Sequence, residues 1–151
     1  GSECIRLRLS ELMFVEIVRG YLASLSAEET GWLAGMRDPS IGRALAQMHQ
    51  RPSHPWTLDE LADVACLSRS SLAERFARYL GQGPMAYLTG WRLELSADLL
   101  RSTSRSVLAI AGDVGYESEA AFNRAFKRRF SLPPARYRKA QRGATVQSSP
   151  E

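Results

Sequence analysis

Apolar residues along this chain recur at intervals of three and four, the spacing of one face of an α-helix, and no stretch alternates in the manner of a strand. Ser10 is placed to cap a helix running to about Leu25. Its Leu12, Phe14, Val15, Ile17, Val18, Tyr21, Leu22 and Leu25 cover more than half the circumference, so it needs cover on two sides. Ser26-Ala27-Glu28-Glu29 forms a capping box for a short second helix with Trp32, Leu33 and Met36 inward. Asp38 followed by Pro39 predicts a third helix, to about His49, because proline at the first helical position lacks only an N–H that has no partner there.

"RPSHPW" (51–56), with two prolines, reads as a linker. Thr57-Leu58-Asp59-Glu60 is a second capping box, and Trp56 and Leu61 stand at the two positions of a hydrophobic staple. Pro84 opens a helix to about Leu100, with Leu88, Trp91, Leu95 and Leu99 expected on one face. At 1.5 Å per residue it is a rod of roughly 26 Å. Residues 141–151 are polar and are expected to be a disordered tail.

The apolar pattern after the linker occurs twice. "LADVACL" (61–67) matches "IAGDVGY" (110–116), and past the following turn Leu72, Phe76, Leu80, Pro84 and Tyr87 match Phe122, Phe126, Phe130, Pro134 and Tyr137. The offset changes from 49 to 50 within the turn between two helices, where an insertion does least harm. Each copy reads as a short helix, a tight turn and a capped longer helix. The spacing from Ala111 to Gly115 supplies a small residue for close crossing and a glycine free to turn; Ala62 and Cys66 stand at those places in the first copy. That is the layout of a helix-turn-helix, although a single hairpin of this kind could equally serve packing alone.

The expected fold is therefore all-α: an N-terminal helical segment (3–52) before a domain over 53–140. Within that domain, tandem helix-turn-helix units at 57–80 and 106–130 are joined by a linker helix at 84–100. Gly1 and Ser2 have the look of a cloning scar, which predicts a natural chain extending further upstream.

Charge changes this picture in one region. Residues 1–56 hold six basic and six acidic side chains, whereas residues 118–142 hold eight basic ones against Glu119 alone, a net of 8 − 1 = +7. Such a cluster is the footprint that phosphate backbones attract. With Phe122 at the core centre, a helical wheel turns Ala120, Asn123, Arg124 and Lys127 outward, and the same construction around Leu72 turns out Ser70, Ala73, Glu74 and Ala77. The pattern points to double-stranded DNA as partner, with Arg124 suited to guanine, Asn123 to adenine and Glu74 to cytosine N4 or to an ion pair with Arg78. Lys127, Arg128 and Arg138 suit phosphates.

Other chemistry is thin. His49 and His54 do not share a helical face as a metal pair would, and Cys4 and Cys66 make neither a disulfide framework nor a zinc site, so no cofactor is expected. The thiols read as reduced, in a cytosolic protein. No apolar run approaches the ~18 residues of a membrane span. The rival classes are a targeting module of a DNA-modifying enzyme, for which no triad, metal cluster or phosphate loop is present, and a redox sensor using Cys66, whose thiol is expected to be buried by Leu61 and Leu67 and so inert.

"LADVACLSRSSLAERF" and "IAGDVGYESEAAFNRAFKRRFSLPPARYR" together resemble the DNA-binding domain of the AraC/XylS family of bacterial transcription regulators, over about residues 56–138. Residues 12–49 resemble the segment that follows a cupin-like sensor domain in one branch of that family. The resemblance implies a sequence-specific, non-enzymatic transcription regulator, cytoplasmic and nucleoid-associated, that inserts two recognition helices into successive major-groove segments of a promoter. It carries base contacts onto Arg69, Ser70, Ala73 and Glu74, then Glu119, Ala120, Ala121, Asn123 and Arg124. Phosphate contacts fall on Ser68, Arg78, Ser118, Lys127, Arg128 and Arg138. RNA polymerase, a homodimer through residues 10–50 and an N-terminal sensor domain absent from this chain are the further partners it implies. Three positions depart from the family pattern: Glu74 where arginine is common, Cys66 at the turn glycine, and Gly112 inside a helix.

Overall fold

A computed structural model describes residues 38–146; the helices expected over 10–36 lie outside the described residues. Seven helices follow one another, with no strand among the described residues: α1 (Pro39–Gln50), α2 (Leu58–Ala65), α3 (Arg69–Leu80), α4 (Pro84–Ser102), α5 (Val107–Asp113), α6 (Glu119–Phe130) and α7 (Pro134–Val146).

The starts of these helices are written locally. The Asp38 carboxylate accepts from the backbone N–H groups of Ser40 and Ile41 and takes a 2.9 Å ion pair from Arg75. Burial alone would raise its pKa, but the hydrogen bonds from Ile41, Ser40 and Arg75 hold it below the ordinary carboxylate value. The capping box at α2 is complete, Thr57 Oγ1 accepting from Glu60 N and Glu60 Oε2 accepting from Thr57 N. Ser68, Ser106 and Ser118 cap α3, α5 and α6 by accepting from Ser71 N, Ala109 N and Ala121 N.

Two cores divide the molecule. Ile41, Leu45 and Met48 of α1, Leu61 and Ala65 of α2, Leu72 and Phe76 of α3, and Leu88 form the first; Trp56 is buried with them, so both ends of the staple share one core. Leu93, Ala97 and Leu100 of α4, Ile110, Ala111, Val114, Phe122 and Phe126 form the second. Complete burial of Phe76, Phe122 and Phe126 is worth about 1.5–3 kcal/mol for each. The boundary between the cores runs through α4. The expected stripe of Leu88, Trp91, Leu95 and Leu99 is accordingly wrong: Leu88 faces the first core, Leu93, Ser96, Ala97 and Leu100 face the second, and Trp91, Leu95 and Leu99 are only half-buried. A helix serving two cores in succession cannot keep a single stripe.

The repeat is larger than the two helices legible in sequence. The buried positions of α1 (Ile41, Ala44, Leu45, Met48) recur with identical spacing in α4 (Leu93, Ser96, Ala97, Leu100). Each unit is thus a supporting helix, two helix-turn-helix helices and a closing helix: α1–α2–α3 closed by the start of α4, then the rest of α4–α5–α6 closed by α7. The closing contacts match too. Tyr87 meets His49 Nε2 at 2.8 Å, and Tyr137 accepts from Arg101 at 3.0 Å. Arg92 donates to the carbonyls of Pro52 and His54, and Arg142, fifty residues later, donates to the Thr103 carbonyl. Helix α7 corrects the expected tail, since residues 141–146 continue it.

Candidate nucleic-acid interface

Helices α3 and α6 are built alike. Each buries its apolar pair, Leu72 and Phe76 or Phe122 and Phe126, and leaves the opposite side to solvent. On α3 and its cap, Ser68, Arg69, Ser70, Glu74, Ala77 and Arg78 are exposed and Ala73 is half-buried. On α6 and its cap, Ser118, Glu119, Ala120, Arg124, Lys127 and Arg128 are exposed, while Ala121 and Asn123 are half-buried. The predicted contact residues therefore lie along two helix surfaces, and only the second is strongly basic.

Several of these side chains have local tasks. Arg69 lies 3.4 Å from Asp59, with both side chains largely exposed, a pair worth at most about 1 kcal/mol. Glu74 does not pair with Arg78, whose guanidinium sits 5.9 Å from the Tyr79 ring centre. That leaves the Glu74 carboxylate directed to solvent. Arg129 is taken by Glu94 at 2.7 Å. Asn123 holds its Oδ1 buried without a hydrogen-bond partner among the described residues, so presenting both amide atoms to a base requires the side chain to rotate. Arg138 is turned onto the carbonyls of Leu100 and Arg105, which gives it a packing role in place of the expected phosphate contact.

The turns between paired helices are equivalent. Leu67 N donates to Ala62 O and Tyr116 N to Ala111 O, and Cys66 (φ 55°) and Gly115 (φ 86°) both lie in the left-handed region. The expectation that Cys66 is buried by Leu61 and Leu67 is overturned: its thiol is exposed. The turn brings residue 66 to the surface while its neighbours on either side pack inward.

Residues 61–140, more than half the chain, match the helix-turn-helix domain family. Over 139 residues the chain is 45% identical to a putative AraC-like transcription regulator of Streptomyces lividans, covering 92% of this chain and 46% of that protein. The chain belongs to the AraC family of transcriptional regulators. A second relative, the HTH-type transcriptional regulator AlkR of Acinetobacter baylyi, is 40% identical over 138 residues, 91% of this chain and 45% of AlkR. The chain thus spans about half the length of these relatives. Among solved structures, the DNA-binding domain of AdpA, a global transcriptional factor crystallised with a target DNA, superimposes with a TM-score of 0.68 at 29% identity, over 74% of this chain and 99% of that one.

Within this AraC-family fold, Gly112 is housed in α5 with open space where a Cβ would stand. An apolar groove of about 620 Å³ runs between α1 and the end of α3, lined by Leu45, Ala46, His49, Tyr79, Leu80 and Tyr87. Burial lowers the pKa of His49 there and raises that of Tyr87. Sequence reasoning passed over Arg92, which holds the segment before α2; the signal that could have found it is Arg142 at the repeat offset.

Proposed function

We propose that the two recognition helices α3 and α6 enter successive major-groove segments of a promoter site, which recur every ~34 Å along B-DNA. The observation that carries this reading is the pairing of two equivalent, outward helix faces with a concentration of exposed cations on the second. Arg124 reads guanine through O6 and N7, Asn123 reads adenine after rotating its amide, and Glu119, Ala120 and Ala121 line the same groove. On α3, Arg69, Ser70 and Ala73 offer a guanidinium, a hydroxyl and a methyl, and Glu74 is the acceptor for cytosine N4. Ser68, Arg78, Ser118, Lys127 and Arg128 hold phosphates and fix register. That AdpA's domain was solved on a target DNA supports the same use of this fold here. Arg124→Ala is expected to weaken binding to the preferred site by about 1–3 kcal/mol, with the loss confined to sites carrying guanine at one position. A titration over all four bases there checks it, and an equal loss on every sequence overturns the direct-reading role.

A second copy of the chain, joined through residues 10–50, is the protein partner we favour, because an apolar groove runs along α1 among the described residues and the sequence of residues 12–25 is more apolar than one short outer helix needs. Sedimentation at rising concentration is expected to show a monomer–dimer equilibrium; a strict monomer removes the reading.

A further inference from the structure

The linker helix α4 carries one side chain that touches both halves of the molecule. Arg92 donates from Nε to the Pro52 carbonyl and from Nη2 to the His54 carbonyl, both at 2.8 Å, and these carbonyls belong to the segment that feeds α2. The other side of the same guanidinium lies on Gly115, the turn residue between α5 and α6. A Cβ built on Gly115 would stand 2.9 Å from Arg92 Nη2 and 3.0 Å from Cζ. Gly115 is therefore glycine for two reasons, its φ of +86° and the planar group resting on it. The repeat supplies an internal control. Arg142 occupies the corresponding place in the closing helix α7, but among the described residues it binds the Thr103 carbonyl and Ser104 Oγ, both within its own unit.

We infer that Arg92 is a positioning residue that sets the relative placement of α3 and α6, and through it the spacer length that the protein accepts between two half-boxes. A planar guanidinium with two hydrogen bonds on one unit and a flat contact on the other resists rotation of either unit about the α4 axis. A flexible alkyl chain at the same place would not. The α4 helix alone fixes the distance between the units. The angle between the recognition helices depends on how each unit seats on it, and Arg92 is where both seats meet. The inference rests on the reading in which both helices enter DNA.

The test uses the full chain and a series of duplexes in which the two half-boxes are separated by spacers from two base pairs shorter to two longer than the best. Wild type is expected to prefer one spacer sharply. Arg92→Met is expected to reduce the preference for the best spacer over its neighbours about fivefold or more, while Arg142→Met leaves the preferred spacer and its margin unchanged. Gly115→Ala approaches the joint from the other side, pushing the guanidinium off the turn, and is expected to broaden the preference in the same way. It decides the matter if Arg92→Met does not fold. Undiminished spacer discrimination in the folded variants overturns the role of Arg92. A wild type indifferent to every spacer instead overturns the two-helix reading on which the inference rests.

Discussion

The first unit, α1–α3, and the second, the latter part of α4 with α5 and α6, are the same framework carrying different surfaces. Inside, Leu72 and Phe76 are answered by Phe122 and Phe126, and Met48 by Leu100, all fully buried. Outside, Ala73, Glu74 and Ala77 are answered by Asn123, Arg124 and Lys127. Packing constrains the inward positions to apolar residues of similar volume, because a buried cavity or an overpacked contact costs several kcal/mol. Nothing in the framework constrains the outward ones. The contrast teaches that the repeat keeps one way of holding a helix while its outward residues differ, so the second helix face carries most of the exposed positive charge.

The two units also divide their strain differently. Each has two left-handed residues, one in the turn of the helix pair and one after the second helix, and each gives glycine to only one of them: Cys66 and Gly81 in the first, Gly115 and Ser131 in the second. The second unit needs its glycine at the turn because Arg92 rests there. In the first, the end of α2 is approached by Arg43, which binds the Val64 and Ala65 carbonyls and leaves room for the Cys66 side chain.

The largest effect is expected from breaking the shared core. Phe126→Ala should cost about 3–5 kcal/mol. Because α4 contributes Leu88 to one core and Leu93, Ala97 and Leu100 to the other, the loss should shift the whole transition. Denaturant unfolding in a Trp32→Phe background, followed by helix ellipticity and by fluorescence, checks this: the remaining Trp56 and Trp91 report on the first unit, and their transition should move with the ellipticity. Separate transitions would mean that the units fold independently and that α4 does not couple them. A smaller gain sharpens the comparison of turns. Cys66→Gly and Ser131→Gly should each raise stability by about 1 kcal/mol by removing the left-handed cost of a side chain. Gly115→Ala should lower it by at least as much, since φ and Arg92 both oppose the methyl group. Thermal unfolding of the three variants ranks them.

How much of this was legible in sequence follows the same division. Features made by neighbours in the chain could be read directly: the capping box of Thr57 and Glu60, the Asp38-Pro39 start and the stripes of α3 and α6. Features that depend on which element serves which core could not. The stripe of α4 is not legible from periodicity because its buried face changes where one core gives way to the next. Residues 141–146 of α7 read as tail because, among the α7 residues whose burial is described, only Pro134 is buried, and much of the helix's hold comes from Arg138 and Arg142 on backbone carbonyls of the α4–α5 region. A charged residue that binds carbonyls and one that binds phosphate look the same in a sequence. Arg138 and Arg92, both of which bind backbone carbonyls, are therefore indistinguishable in sequence from phosphate-binding arginines. The third element of the repeat, α1 against α4, has matching burial without one identical residue, so only the fold discloses it.

The most direct test of the account is selection of binding sites from random duplex DNA with the full chain, at two salt concentrations. Neutralised phosphates make affinity fall with salt, whereas base contacts hold the recovered sequence constant. The expected result is one motif at both salts, with two boxes about one helical turn apart and the more invariant positions in the box facing α6. Steeply salt-dependent binding that yields no motif would contradict the account, leaving a basic surface that holds DNA without reading it.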